Sequence, residues 1–286
     1  MPESRLLQRI LDDINDLPPL PQVAAQVMQM TNDPDVSAAE LNNVISQDEA
    51  LTANLLKLCN SSYYGLPRVI SSVTQAIMYL GFQTVRNMVL TSTLDRVYAD
   101  YDLSFYNFEP GGLSRHSFAT AIASQVISKK LRPGLRDTAF TAGLLHGVGK
   151  IILGKYVREH KNELMEVTDG QFVTREAERA VFETDYAEVG AKIADNWNFP
   201  QELILAIGYH PEPELAPGKP LLSVIVYLAQ NTCKRLGVGL LGGPIVSPLS
   251  DYCAEATGTT EEDMDALLAE VQQNLEATRA PNPDAK

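Results

Sequence analysis

Leu144-Leu145-His146-Gly147-Val148-Gly149-Lys150 lies near the middle of a chain of 286 residues. It is apolar up to its histidine and punctuated by glycine after it. Apolar residues recur at helical spacing on both sides. Upstream, Leu113 to about Lys130 forms one helical pattern in which His116, Thr120, Ala123 and Ile127 share a face. Asp137 then suits the cap of the helix that carries the stretch, and Ile151, Ile152 and Tyr156 continue the pattern beyond it. The stretch is expected at the centre of a helical lobe.

Downstream, Thr184 or Asp185 starts a helix with Glu188 in its first turn and Val189, Ile193 and Trp197 inward. A helix with Leu203, Ile204 and Ile207 follows and closes at His210-Pro211. Leu221 to Leu236 is another apolar helix. Gly237 to Pro248 is glycine-rich and is expected to be a surface loop. A last amphipathic helix starts near Thr260, and the tail from Ala280 is expected to be disordered.

Upstream, Ser4 to Ile14 is a helical pattern, and Leu17-Pro18-Pro19-Leu20-Pro21 enforces an extended connector. Gln22 to Met30 is a second helix. Ser37 with Glu40 forms a capping box, Asp48 caps the next helix, and Ser72 with Gln75 forms a second box. Asn60 to Gly65 is a loop. Gly81 ends one helix and Gln83 to about Tyr98 forms another. The first hundred residues hold no useful strand-like alternation. The expected fold is all-α with two helical lobes. Residues 1–98 form the first lobe, 99–112 a junction, 113–236 the second lobe, and 237–286 a glycine-rich loop, helix and tail. The junction concentrates Tyr101, Phe105, Tyr106 and Phe108. These rings suit anchors for a long connection or a stacking surface for a small molecule.

A net charge of −13 argues against bulk capture by nucleic acid or an anionic membrane. Ser37 to Leu58 has a helix-turn-helix look, but Gln22 to Asn60 carries Asp33, Asp35, Glu40, Asp48 and Glu49 against only Lys57. A recognition helix needs cations for phosphates. Cys59, Cys233 and Cys253 are scattered and odd in number, which fits reduced thiols in a cytoplasmic protein. The first ten residues do not read as a signal peptide. The longest strongly apolar run, Leu221 to Ala229, is shorter than the ~20 residues of a membrane span.

His116 and His146 lie on successive helices and are candidate metal ligands. A hydrolytic site also needs carboxylates and an open coordination position. No carboxylate adjoins either histidine.

Leu17-Pro18-Pro19-Leu20-Pro21 and the run Ile45-Ser46-Gln47-Asp48-Glu49-Ala50-Leu51-Thr52-Ala53-Asn54-Leu55-Leu56-Lys57-Leu58-Cys59-Asn60-Ser61 resemble the first lobe of the HDOD (HD-related output domain) family. The likeness continues through Tyr64-Gly65, Ile70 to Ile77, Leu80-Gly81 and Val85-Arg86-Asn87. The second lobe is similar to the HD superfamily of metal-dependent phosphohydrolases. That resemblance implies an HD-like helical fold and a metal set of one histidine, a His-Asp pair and a later aspartate. His116 and His146 stand at the histidine positions. Gly147 and Gln230 stand where the aspartates belong. Tyr186 occupies the place of a further histidine found in some branches, His210 falls in that of a later His-His pair, and Lys150 survives from the motif. The resemblance therefore implies a vestigial site with no cofactor. It implies a non-catalytic regulatory module of the bacterial cytoplasm that binds signalling proteins in trans, or a small ligand. No receiver, GGDEF or kinase segment is visible. Asn60, Ser61 and Tyr64 are candidates for a partner or ligand surface, beside a packing and capping role. The alternative is a phosphohydrolase or cyclic-nucleotide phosphodiesterase. Its divalent metal would sit on His116 and His146, helped by Asp185 or Glu188.

Overall fold

Side-chain caps start three of the helices of the first lobe, and apolar stripes hold the lobe together. The computed structural model describes residues 5–15, 20–99 and 101–282. Leu17, Pro18 and Pro19 of the expected connector lie outside these, as do the last four residues of the tail. Regular structure among the described residues is helical, with pairing of extended chain limited to isolated bridges.

Helix α1 (Arg5–Asn15) is followed by α2 (Gln22–Met30), α3 (Ala38–Ile45), α4 (Glu49–Cys59) and α5 (Val73–Ala99). Ser37 and Glu40 exchange bonds in the expected capping box at the start of α3. Asp48 accepts from the Leu51 N–H to cap α4. Arg96 pairs with the same carboxylate at 2.7 Å and holds its pKa below the ordinary value. The second box is displaced by one residue. The Gln75 N–H reaches Ser72 Oγ, but Gln75 Oε1 accepts from the Ser71 N–H. Helix α5 breaks at Gly81, whose φ of 79° and ψ of 166° are open to glycine alone. Leu41, Ile45, Leu51, Leu55, Cys59 and Met88 bury into one core.

Asn60 closes α4 with its side chain. The amide donates to Leu56 O at 2.9 Å and Ile70 O at 2.8 Å, and Oδ1 accepts from the Ile70 N–H at 2.7 Å. Ser61 Oγ donates to Leu58 O. The chain end lies on this loop: Ala277 and Ala280 accept from the Tyr63 and Ser62 N–H groups, and the Asn282 N–H donates to Asn60 O. Backbone bonds therefore hold the tail through Asn282, past the point where disorder was expected to begin.

The second lobe contains α6 (Gly112–Leu131), α7 (Arg136–Leu145), α8 (Lys150–Glu159), α9 (Lys161–Val167), α10 (Arg175–Phe182), α11 (Tyr186–Asn196), α12 (Gln201–Tyr209) and α13 (Leu221–Arg235). The chain ends with α14 (Asp251–Thr257) and α15 (Glu261–Arg279). Helix α6 packs on α7 and α13, and α12 packs on both α11 and α13. Buried Ala119, Ala121 and Ala123 give α6 the small side chains that close packing needs. Sequence periodicity did not reveal α9, α10 or α14. They are short, and α10 (Arg175–Phe182) is polar along most of its length. Thr174 marks its start by accepting from the Ala177 N–H. Asp137 lies in the first turn of α7 and does not cap it; Leu135 holds the cap position.

The chain groups into two compact units. One takes the described residues from Leu20 to Val97 together with 269–282. The other takes α1 together with Tyr98–Leu268. Helix α1, placed with the first lobe by sequence order, belongs with the second. Its buried Ile10 and Ile14 lie on the helix that packs on α8 and α11. Arg9 pairs with Glu159 at 3.2 Å and Asp13 with Lys155 at 3.0 Å.

Replacing Asn60 with alanine strands the Ile70 N–H and removes two donors. Urea unfolding of Asn60→Ala is expected to show a loss of about 2–3 kcal/mol. An unchanged midpoint would contradict the clamp.

Candidate functional site

Leu144 to Lys150 forms the turn between α7 and α8. Helix α7 ends at Leu145, and His146 to Gly149 turns the chain into Lys150, the first residue of α8. Gly149 sets how close this turn comes to α11. A Cβ there would fall 2.0 Å from Tyr186 O, so glycine is required. The approach brings Lys150 against Tyr186. The Lys150 ammonium lies 3.1 Å from the Tyr186 ring centroid and 4.4 Å from that of Tyr106.

His116 comes from α6, His146 follows α7, and His210 follows α12. Their rings form a row, with centroids 5.5 Å apart for His116 and His146 and 5.2 Å apart for His146 and His210. The three Nδ1 atoms face carbonyls of Val238 at 3.2 Å, Gly143 at 2.7 Å and Ile207 at 2.8 Å respectively. A carbonyl only accepts, which assigns the proton to each Nδ1 and leaves each Nε2 as an acceptor. Burial pushes His146 down to about 3 and His116 and His210 well below the usual histidine range. All three are neutral at physiological pH.

His210 Nε2 faces Tyr186 Oη at 3.3 Å. Gln230 Nε2 donates to that hydroxyl at 3.3 Å, and Lys234 Nζ donates to Gln230 Oε1 at 3.2 Å. One consistent direction runs through the chain: Lys234 to Gln230, Gln230 to Tyr186, Tyr186 to His210, His210 to the Ile207 carbonyl. An ionised aspartate at position 230 could accept from Lys234 but could not donate to Tyr186.

This set is a poor match for a divalent metal. A Cβ on Gly147 would lie 2.9 Å from Leu113 Cδ1, so packing fills the space an aspartate would need. Asp185 caps α11 through the Ala187 and Glu188 N–H groups and takes Arg179 Nε at 2.8 Å. Glu188 accepts from Thr184 Oγ1. Glu178 is fully buried and accepts from Tyr106 Oη and the Tyr186 N–H. Desolvation pushes its carboxyl up to about 7, and the nearby Lys150 opposes that rise. Among the described residues, no three His, Cys, Asp or Glu side chains gather into a metal-holding cluster. The imidazoles instead share their surroundings with two ammonium groups, which repel a cation.

A cavity of about 760 Å3 opens beside them. Tyr106, Asn107 and Phe108 supply one wall, residues 171–176 a second, and Tyr227, Gln230, Asn231 and Lys234 of α13 a third. Burial pushes Lys150 down to about 7 and Lys234 down to about 8. The glycine-rich segment, expected to be a surface loop, is a fourth wall through Leu240, Gly242, Ile245 and Ser247. Long-range bonds hold it there: Val238 O faces His116, and the Leu241 and Gly242 N–H groups reach Asn107 O and Oδ1. Tyr106 and Phe108 of the aromatic junction are buried anchors that also face the cavity, while Tyr101 stays exposed.

Lys234, Glu178 and Arg175 were not singled out from sequence. Lys234 stands four residues after Gln230, on the same helical face, which was the available signal. Glu178 sits in a run that reads as surface. Asn60, Ser61 and Tyr64 belong to the other unit. The Asn60 and Ser61 side chains serve the clamp on α4, and Tyr64 is half-buried with its ring edge-on to Tyr63 at 4.9 Å.

Residues 17–213 match the HDOD domain. The chain belongs to the HDOD family. An uncharacterized protein of Treponema pallidum (strain Nichols) is 26% identical over 227 residues, covering 78% of this chain and 44% of that protein. The chain thus spans less than half the length of this relative. A solved HDOD domain protein of unknown function from Geobacter sulfurreducens has a TM-score of 0.75 at 24% identity, covering 96% of this chain and 95% of that one. A Marinobacter aquaeolei VT8 chain, described provisionally as a signal transduction protein, has a TM-score of 0.68 at 21% identity, covering 98% and 61%. A Shewanella amazonensis SB2B chain, described provisionally as a phosphohydrolase, has a TM-score of 0.70 at 23% identity, covering 96% and 98%. These likenesses show the fold. Regulatory and hydrolytic names both sit on it, so the chemistry of the site must separate them. No helix among the described residues is long and apolar enough to cross a membrane.

The buried histidines make stability depend on pH. Their folded pKa values lie below the unfolded value near 6.5, so the unfolded chain binds more protons in mild acid. Stability from this source is full above about pH 6.5 and is lost as pH falls toward the folded values. Glu178 works the other way, because its carboxyl, pushed up to about 7, lets the folded chain hold a proton over the same range. Urea titrations at pH 7, 6 and 5 are expected to show net proton uptake on unfolding approaching about two. A slope of about 3 kcal/mol per pH unit corresponds to that uptake. A flat stability profile over this range would refute it.

Proposed function

We propose that this HDOD protein is a non-catalytic regulatory module of the bacterial cytoplasm that acts by binding signalling proteins in trans. One observation carries the non-catalytic part: the donor chain from Lys234 through Gln230 and Tyr186 to His210 occupies the place where an HD hydrolase needs carboxylates and a metal. Metal hydrolysis requires an ion that acidifies bound water, and hard anionic ligands hold such an ion. Here the nearest carboxylates are engaged by arginine, hydroxyl and backbone donors. A net charge of −13 is likewise at odds with nucleic acid as the partner. The signalling name of the Marinobacter relative is consistent with partner binding, at the level of fold.

The rival is a phosphohydrolase or cyclic-nucleotide phosphodiesterase with an altered metal set. It draws on the orientation of His116 and His146, whose Nδ1 atoms are held by carbonyls as in many metal-bound histidines. Elemental analysis of protein purified without chelator separates the two. The expected result is no stoichiometric iron, manganese or zinc, and no phosphoester turnover with added metal. Stoichiometric metal together with turnover that vanishes in His146→Ala would establish the hydrolase.

The double variant Gly147→Asp with Gln230→Asp is expected to gain no metal. It should lose about 1–3 kcal/mol by crowding Leu113, read as a lower urea midpoint beside elemental analysis.

A further inference from the structure

A buried ammonium group needs a counter-charge or several acceptors, because removing it from water is costly. The cations around the cavity divide on this point. Arg175 and Arg179 are paired with Asp185 and Glu212. Among the described residues, neither Lys150 nor Lys234 forms an ion pair. Lys150 rests on the faces of two tyrosines, and Lys234 donates one bond to a neutral amide. The nearby Glu178 and Asp185 carboxylates attract Lys150 without forming an ion pair with it, and each is bonded to its own donors. Glu176 is exposed at the rim.

The cavity also has a graded lining. Lys150 is 7% exposed, whereas Phe172 on the opposite kind of surface is 45% exposed. Tyr227, Ile245 and Asn231 supply further ring, aliphatic and amide surface. Its volume of about 760 Å3 lies within the range of small-molecule sites, about 300–1,000 Å3.

We propose that this cavity binds a small organic dianion, with its charged head held by Lys150 and Lys234 and its flat body against Phe172 and Tyr227. A phosphomonoester or a dicarboxylate carries two charges near neutral pH and would favour the charged form of both lysines, which burial pushes down to about 7 and about 8. Aromatic walls favour a flat apolar body. The site stands apart from the partner-binding reading, since it is measured on the isolated chain. Working in EDTA also separates it from the hydrolase reading, which needs a metal.

The test is thermal unfolding and calorimetric titration of the full chain in EDTA, with adenosine monophosphate, phthalate, adenosine and inorganic phosphate as probes. At least one aromatic dianion is expected to raise the melting temperature at about 5 mM, while neutral adenosine does not. The stronger of the two dianions identifies the head as phosphate or carboxylate. Lys150→Met and Lys234→Met are each expected to weaken binding about tenfold or more. Should Lys150→Met fail to fold, Lys234→Met at the cavity wall carries the comparison. No stabilisation by either dianion, equal binding by the folded lysine variants, or inorganic phosphate binding as tightly as both aromatic dianions would overturn the proposal.

Discussion

The second lobe depends on keeping its buried polar groups bonded without a metal. A row of neutral imidazoles, a phenol, an amide and an ammonium group would be costly in an apolar interior if left unpaired. The chain from Lys234 through Gln230 and Tyr186 to His210 and the Ile207 carbonyl satisfies four of them in one direction, while His116 and His146 donate to the Val238 and Gly143 carbonyls. Gln230 is the pivot, because an amide can accept from lysine and donate to tyrosine at once. An ionised aspartate at this position could not make both bonds, so the network depends on the amide. Three helices hold that network, so it ties α11, α12 and α13 together, and the Lys150 ammonium on the Tyr186 ring links the turn after α7 to it.

Backbone proximity makes the arrangement possible. Gly149 lets the turn after α7 touch the start of α11, which seats Lys150 on the Tyr186 ring. Gly147 leaves room that Leu113 fills. Two neighbouring glycines therefore have different physical roles: one permits contact between backbones, and the other lets the Leu113 side chain pack against the turn. The result is a lobe with an HD-like fold whose histidine row is bordered by Lys150 and Lys234.

Much of the architecture was legible because its causes are local. Ser37, Asp48 and Asp185 cap their helices with the bonds their side chains suggest. Gly81 interrupts α5 at the residue where a break was expected. The short helices α9, α10 and α14 were not legible, since short polar segments are stabilised by packing that periodicity does not record. The same limit applies to Glu178, a buried acid within a run that looks like surface. Its environment comes from Tyr106, remote in sequence, and from the Tyr186 N–H at the start of the next helix.

By itself, the sequence determined an all-α chain, the positions of its principal caps and breaks, and the presence of Gly147 and Gln230, neither of which carries a carboxylate. Those features are written in residue type and short spacing. Only the tertiary structure decided that His116, His146, Tyr186 and His210 share one cluster, that Lys234 joins it, and that the glycine-rich segment walls a cavity. Each of these depends on contacts between elements far apart along the chain. Their partners are selected by packing and by the need to satisfy buried donors and acceptors, which no local pattern encodes.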